Sequence, residues 1–106
     1  MHVIRWLDAA RGEAVDAARA YAETDPKLGE ALWRQVERTL ALVQRFPETG
    51  QLVVGFEGNT LRRHFVRGFD YTLVVMLRPD DAVVVAFHHQ RRDPRYWESR
   101  TNGACR

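Results

Sequence analysis

The chain has 106 residues, enough for one hydrophobic core and too few for two. Its 45% hydrophobic and 28% charged residues are ordinary for a soluble globular protein, and no apolar run approaches the roughly 20 residues that span a bilayer. The formal net charge of +2 is unevenly spread: residues 1–50 carry seven basic and eight acidic side chains, residues 51–106 nine arginines and six acids.

Every basic residue except Lys27 is an arginine. Codon bias is a sufficient cause, but the consequence is physical. Guanidinium offers a planar fork suited to carboxylates, phosphates and stacked bases. An acidic partner or a nucleic acid is favoured over a neutral one.

The opening Met1-His2-Val3-Ile4-Arg5 lacks the pattern of a secretory signal. Val3 to Leu7 is a short apolar run that reads as a first strand, with Asp8 as the cap of a helix behind it. Ala10, Ala14, Ala17, Ala18 and Tyr21 recur at helical spacing, while Arg11, Glu13, Asp16 and Arg19 fall mostly on the other side. Small alanines let a second helix approach closely. Asp25-Pro26 restarts the chain as cap and first helical residue. Leu28, Leu32, Val36, Leu40 and Val43 form an apolar stripe with Trp33 at its flank. Pro47 ends that helix near Phe46. The two helices share a short connection and form an antiparallel hairpin.

After the turn Pro47-Glu48-Thr49-Gly50, Gln51 to Phe56 reads as a weak strand and Gly55 to Thr60 as a loop. Leu61 to Val66 is a strand with Leu61, Arg63 and Phe65 on one face and Arg62, His64 and Val66 on the other. Tyr71 to Leu77 and Ala82 to His89 are rich in β-branched and aromatic residues, joined by the turn Arg78-Pro79-Asp80-Asp81. The Ala82–His89 run is apolar on both faces, the mark of a central strand. His88 and His89 are adjacent on it, point to opposite faces and cannot chelate one metal. Arg91, Arg92 and Arg95 surround Asp93-Pro94, where local ion pairs to Asp93 and Glu98 compete with recognition of an acidic partner. Tyr96 and Trp97 read first as core-sealing aromatics and second as stacking platforms. Thr101 to Arg106 has little to bury and reads as a frayed tail. Cys105 is the only cysteine, so no internal disulfide forms and a cytoplasmic location is expected. Strand, helix pair and run of strands make an α+β order.

That order, with its particular words, resembles the RelE/ParE family of bacterial type II toxin–antitoxin toxins. The matching pieces are Trp6 followed by an alanine-rich helix ending near Tyr21, the word LALVQRFPETG at Leu40–Gly50, Arg62 at a strand start, and Tyr71–Leu77. Above all, HQRRDPRYW at His89–Trp97 is similar to the ParE-like branch. The similarity spans Val3 to Arg100, which makes residues 1–100 a single toxin domain. The resemblance implies an N-terminal strand and an α-helical hairpin packed on a mainly antiparallel sheet. It also implies an antitoxin whose disordered segment folds over the toxin, and neither a metal nor a cofactor. RelE-type members cut mRNA on the ribosome; ParE-type members, where targets are known, act on DNA gyrase.

Cleaving RNA takes a base for the 2′-hydroxyl, cations for the phosphate and an acid for the leaving oxygen. RelE-like members resemble one another in sheet lysines and a C-terminal tyrosine, but the strands here hold no lysine, and Lys27 is on the second helix. A second nuclease branch uses a glutamate, an arginine and a histidine–tyrosine pair. This chain offers Glu48 or Glu57, Arg62 or Arg63, and His88 or His89, with Gln90 where the tyrosine is expected. The resemblance therefore points to a ParE-like toxin that is not a catalyst of its own. It would bind a large target such as DNA gyrase and be neutralised by a cognate antitoxin. The partner-binding candidates are Trp33, Arg62, Arg67, Arg91, Arg92, Arg95, Tyr96 and Trp97. Two alternatives stand beside it. One is a ribosome-dependent mRNA interferase using Arg62, His89, Arg91 and Tyr96; the other is an inactive toxin fold kept as an antitoxin-binding module.

Overall fold

Asp25 and Pro26 divide the N-terminal half into two rods. The Asp25 side chain accepts the Lys27 backbone N–H at 3.0 Å, and Pro26 takes the first helical position. The computed structural model, which describes residues 2–56 and 60–104, runs β1 (Val3–Trp6), α1 (Asp8–Thr24), α2 (Pro26–Arg45), β2 (Gln51–Leu52), β3 (Leu61–Val66), β4 (Tyr71–Leu77), β5 (Asp81–His89) and α3 (Glu98–Ala104). Asp8 is not the cap of α1. Leu7 holds that place in extended geometry without a side-chain bond, and Asp8 lies in the first turn, where a carboxylate still favours the helix dipole.

The alanines of α1 do what their size allows. Ala10, Ala14, Ala17 and Ala18 are buried, and Gly29 of α2 lies against them. A Cβ at Gly29 would stand 2.9 Å from the Ala18 carbonyl oxygen and 3.1 Å from the Ala22 Cβ. Gly29, not Leu28, is therefore the buried position at this crossing, and Leu28 turns outward. The rest of the α2 stripe, Leu32, Val36, Leu40 and Val43, is buried as its period requires.

The five strands form one sheet in the order β1-β5-β4-β3-β2. Every pairing is antiparallel except that β1 runs parallel to β5. The helices cover one face, against Val66, Leu73, Val75, Ala82, Val84 and Phe87. On the other face Val53, Leu61, Val74, Met76, Val85 and Ala86 pack around Trp97. Strands β4 and β5 are apolar on both sides because both sides are covered. The register of β5 against β4 passes from Val84 to Ala86 and skips Val85, a bulge.

Two further expectations shift. Only Gln51 and Leu52 of the Gln51–Phe56 segment are strand; Val53 keeps one rung to Leu61, and Gly55, at φ 98°, turns the chain away. The Gly55–Thr60 loop, with Glu57, lies partly outside the described residues. The C-terminus does not fray at Thr101: α3 continues to Ala104, and Thr101 is buried with its hydroxyl donating to the Glu98 carbonyl at 2.7 Å.

Candidate functional site

Strand β1 is shorter than the strand it pairs with. Its last partner is Val84, and the Leu7 N–H closes the ladder on the Val84 carbonyl. Beyond that point the edge of β5 has backbone groups and, among the described residues, no strand beside it. Two side chains take the strand's place. Glu13 of α1 accepts the Phe87 N–H at 3.2 Å, and Arg100 of α3 donates to the carbonyl of the bulged Val85 at 3.1 Å. The same two side chains pair with each other at 2.8 Å. Backbone groups that burial would otherwise leave unpaired are thereby satisfied.

Glu13 gathers the segment after β5 as well. Its second oxygen accepts the Tyr96 hydroxyl at 2.6 Å and an Arg92 N–H at 3.3 Å. The Arg92 guanidinium lies 3.6 Å over the Tyr96 ring, a cation–π contact. Burial pushes the Glu13 pKa up, but the bonds from Arg100, Tyr96 and the Phe87 N–H outweigh it, and the net value falls below the ordinary 4.5. Tyr96 moves the other way. Burial first, then the bond to Glu13, raises its pKa well above the usual tyrosine value, so its hydroxyl is a fixed donor and a poor proton shuttle.

Arg95 ties the same segment to the chain after β2. It donates to the Val54 carbonyl, pairs with Glu98 at 3.1 Å and lies 5.2 Å from the Phe56 ring, which stacks on Trp97. Trp97 is 0% exposed. It seals the core of this face and presents nothing to a partner, which corrects its place among the partner-binding candidates.

The remaining candidates fall in separate places. Arg62 aligns with Val75, on the helix-covered face, and donates to the Gly50 carbonyl at 3.2 Å. Arg63 is on the opposite face and donates to the Pro94 carbonyl at 3.2 Å. His89 meets Tyr71 edge-on on the helix side and accepts the Arg91 N–H, while His88 meets the Tyr96 ring on the other. Trp33 is half-buried, edge-to-face with Trp6 at 6.5 Å. Arg67 and Arg91 are exposed, and their guanidiniums have no partner among the described residues. So His89, Arg91, Arg92, Arg95 and Tyr96 share the C-terminal end of β5, and Arg62 and Trp33 do not join them.

A wide groove of about 1010 Å³ runs between α2 and the β3 edge, with Arg38, Leu42, Phe65 and Arg67 in its walls. Leu42 is 55% exposed and Phe65 58%, so apolar surface and free cations alternate along it.

Glu13 and Arg100 are the functional-site residues that sequence reasoning misplaced or left out. The helical period puts Glu13 mostly on the side away from the alanines, yet it stands three residues after Ala10 and four before Ala17, at the margin of the buried stripe. That spacing was the available signal. Arg100 was counted as the end of the domain, with no partner assigned.

A family profile described as "ParE toxin of type II toxin-antitoxin system, parDE" matches residues 4–94. No curated protein sequence matches this chain. Among solved structures, a chain of the "Chromosomal ParDE TA system from P. aeruginosa" is similar at 10% identity and a TM-score of 0.68, over 84% of this chain and 96% of that one. At that identity the likeness speaks for the fold alone.

Proposed function

Because this chain belongs to the ParE family of type II toxin–antitoxin toxins, we propose that it acts by gripping a large target such as DNA gyrase and that a cognate antitoxin neutralises it. The observation that carries this reading is the family match over residues 4–94. The geometry supports it in two ways. The groove between α2 and β3 suits an amphipathic, acidic antitoxin segment: Leu42 and Phe65 offer apolar contact, and Arg38 and Arg67 offer forks for carboxylates. The end of β5 presents Arg91 outward beside Arg92 and Tyr96, which Glu13 holds in place, and Arg95, which Glu98 and the Val54 carbonyl hold. Preorganised arginines and aromatics of this kind are the usual anchors of a protein interface. Trp33, at the mouth of a shallow hollow between the two helices, is a further anchor, and Arg62 supports the groove wall through Gly50.

The test is genetic and biochemical together. Expressed alone, the chain arrests growth with signs of DNA damage. Expressed with the product of the neighbouring reading frame, it forms a stable complex and growth resumes. Arrest that begins with immediate loss of translation, and codon-phased cuts in ribosome-bound mRNA, would contradict the proposal.

A further inference from the structure

The sheet face opposite the helices holds a cavity of about 360 Å³ with Arg63, Phe65, Thr72, His88, Gln90 and Pro94 in its wall. Two residues of that wall each carry a polar atom unpaired among the described residues. Arg63 Nε and His88 Nε2 are both closed off from solvent, and neither has a hydrogen-bond partner among the described residues. Unpaired polar atoms in a protein interior are rare enough to need a reason, and here two belong to residues of one cavity wall.

The hydrogen bonding of His88 says what it can accept. Its Nδ1 lies 2.8 Å from the His89 carbonyl oxygen. A carbonyl only accepts, so Nδ1 carries the proton, and in the neutral ring Nε2 is a bare lone pair. A second proton turns Nε2 into a donor beside the Arg63 guanidinium. The charged and titratable groups around the ring are Glu13 from α1, Arg63 from β3, and Arg92 and Tyr96 from the segment after β5. Thr72 pairs with it from β4. Glu13, the one carboxylate among these described residues, is already committed to Arg100, Tyr96 and the Phe87 N–H. Among the described residues, then, the cavity wall holds the Arg63 cation and no anion. Two residues along β3 from Arg63, on the same face, Phe65 is 58% exposed and offers a flat apolar platform at the rim.

We propose that this cavity binds a nucleoside monophosphate, with the phosphate received by Arg63 and His88 and the base laid on Phe65. Its volume is at the lower end of ordinary small-molecule sites. Binding takes up a proton. Burial, and then the charges of Arg63 and Arg92, hold the His88 pKa below the ordinary histidine value, against the pull of the His89 carbonyl and of Glu13. A phosphate beside Nε2 reverses that balance and favours the doubly protonated ring. By linkage, affinity then weakens by up to about tenfold per pH unit as pH rises through the His88 midpoint of the complex. The cavity shares Arg63 and Phe65 with the groove between α2 and β3, but binding there does not depend on the choice of target.

The experiment titrates the full chain with AMP, adenosine and inorganic phosphate in phosphate-free buffer. Imidazole resonances of the ¹⁵N-labelled protein and calorimetry at about pH 6 and about pH 8 bracket the histidine range. AMP is expected to shift the His88 resonance, raise its titration midpoint and bind more tightly at the lower pH. Inorganic phosphate does the same more weakly, and adenosine does not. Phe65→Ala weakens AMP by about fivefold or more, the usual loss of a stacked base, and leaves inorganic phosphate unchanged. Arg63→Gln abolishes both. Phe65 is exposed, so its variant keeps the fold and carries the test even where Arg63→Gln does not fold. An unmoved His88 resonance at millimolar AMP, equal binding of adenosine, or full AMP affinity in Phe65→Ala would overturn the proposal.

Discussion

Glu13 makes contact with four separate parts of the chain after β1: the edge of β5, Arg92, Tyr96 and α3. Removing its charge leaves the Phe87 N–H, the Tyr96 hydroxyl and the Arg100 guanidinium short of an acceptor. Glu13→Ala is therefore expected to cost about 2 kcal/mol, the scale of a lost charge-assisted pair in a partly buried site. Chemical denaturation against the parent chain measures it. The same carboxylate predicts a pH effect whose sign follows from its lowered folded pKa. Its contribution is complete above the ordinary glutamate value of 4.5 and is lost as pH falls towards the lower folded value. Thermal melts between about pH 6 and about pH 3 should therefore fall less steeply in Glu13→Ala than in the parent. Parallel curves would show that Glu13 is no linchpin. At this scale the sequence was only partly legible. The alternation of Arg62 and Arg63, and of His88 and His89, followed from strand period alone. The role of Glu13 depends on β1 stopping at Trp6 while β5 runs on to His89, a mismatch no local pattern records.

Helix α2 crosses α1 at Gly29, where backbone meets backbone. A larger residue there must push the Ala18 carbonyl and the Ala22 Cβ aside, and neither is the free end of a flexible chain. Gly29→Val is expected to destabilise the fold by about 1–3 kcal/mol through overpacking, despite valine's better helix propensity. Differential scanning calorimetry checks it; an unchanged melting temperature would mean the hairpin can splay without loss. The turn before β2 has a similar constraint: Gly50, at φ 86°, approaches the Arg63 carbonyl so closely that a Cβ would stand 2.6 Å from it. Elements with their own punctuation were legible, such as α2 behind Asp25-Pro26 and the β4–β5 turn at Pro79. Elements defined by tertiary contact were not. Strand β2 is two residues long, and α3 has no apolar stripe to announce it, only Trp97 before it and Thr101 within it.

The whole molecule is a helix pair laid on one face of a sheet, with the C-terminal segment strapped across part of the other. Val36 stands midway along the α2 stripe and is 1% exposed. Val36→Asp would bury an unpaired charge and should unfold the domain outright; circular dichroism of the purified variant shows whether it does. The α+β order and the face each helix buries were readable from period. Surface function was readable only as a bias of arginine towards the second half, because which guanidiniums stay free depends on which carboxylates the fold brings near them. Arg92, Arg95 and Arg100 find Glu13 or Glu98, while Arg67 and Arg91 find no carboxylate among the described residues. Those two lie on the surfaces assigned to partners. The most direct measurement adds the purified chain to DNA gyrase acting on relaxed plasmid. Supercoiling should fall in proportion to added chain, recover when the cognate antitoxin is supplied, and be spared by an Arg67→Glu, Arg91→Glu double variant that still folds. Undiminished supercoiling at saturating chain would contradict the account.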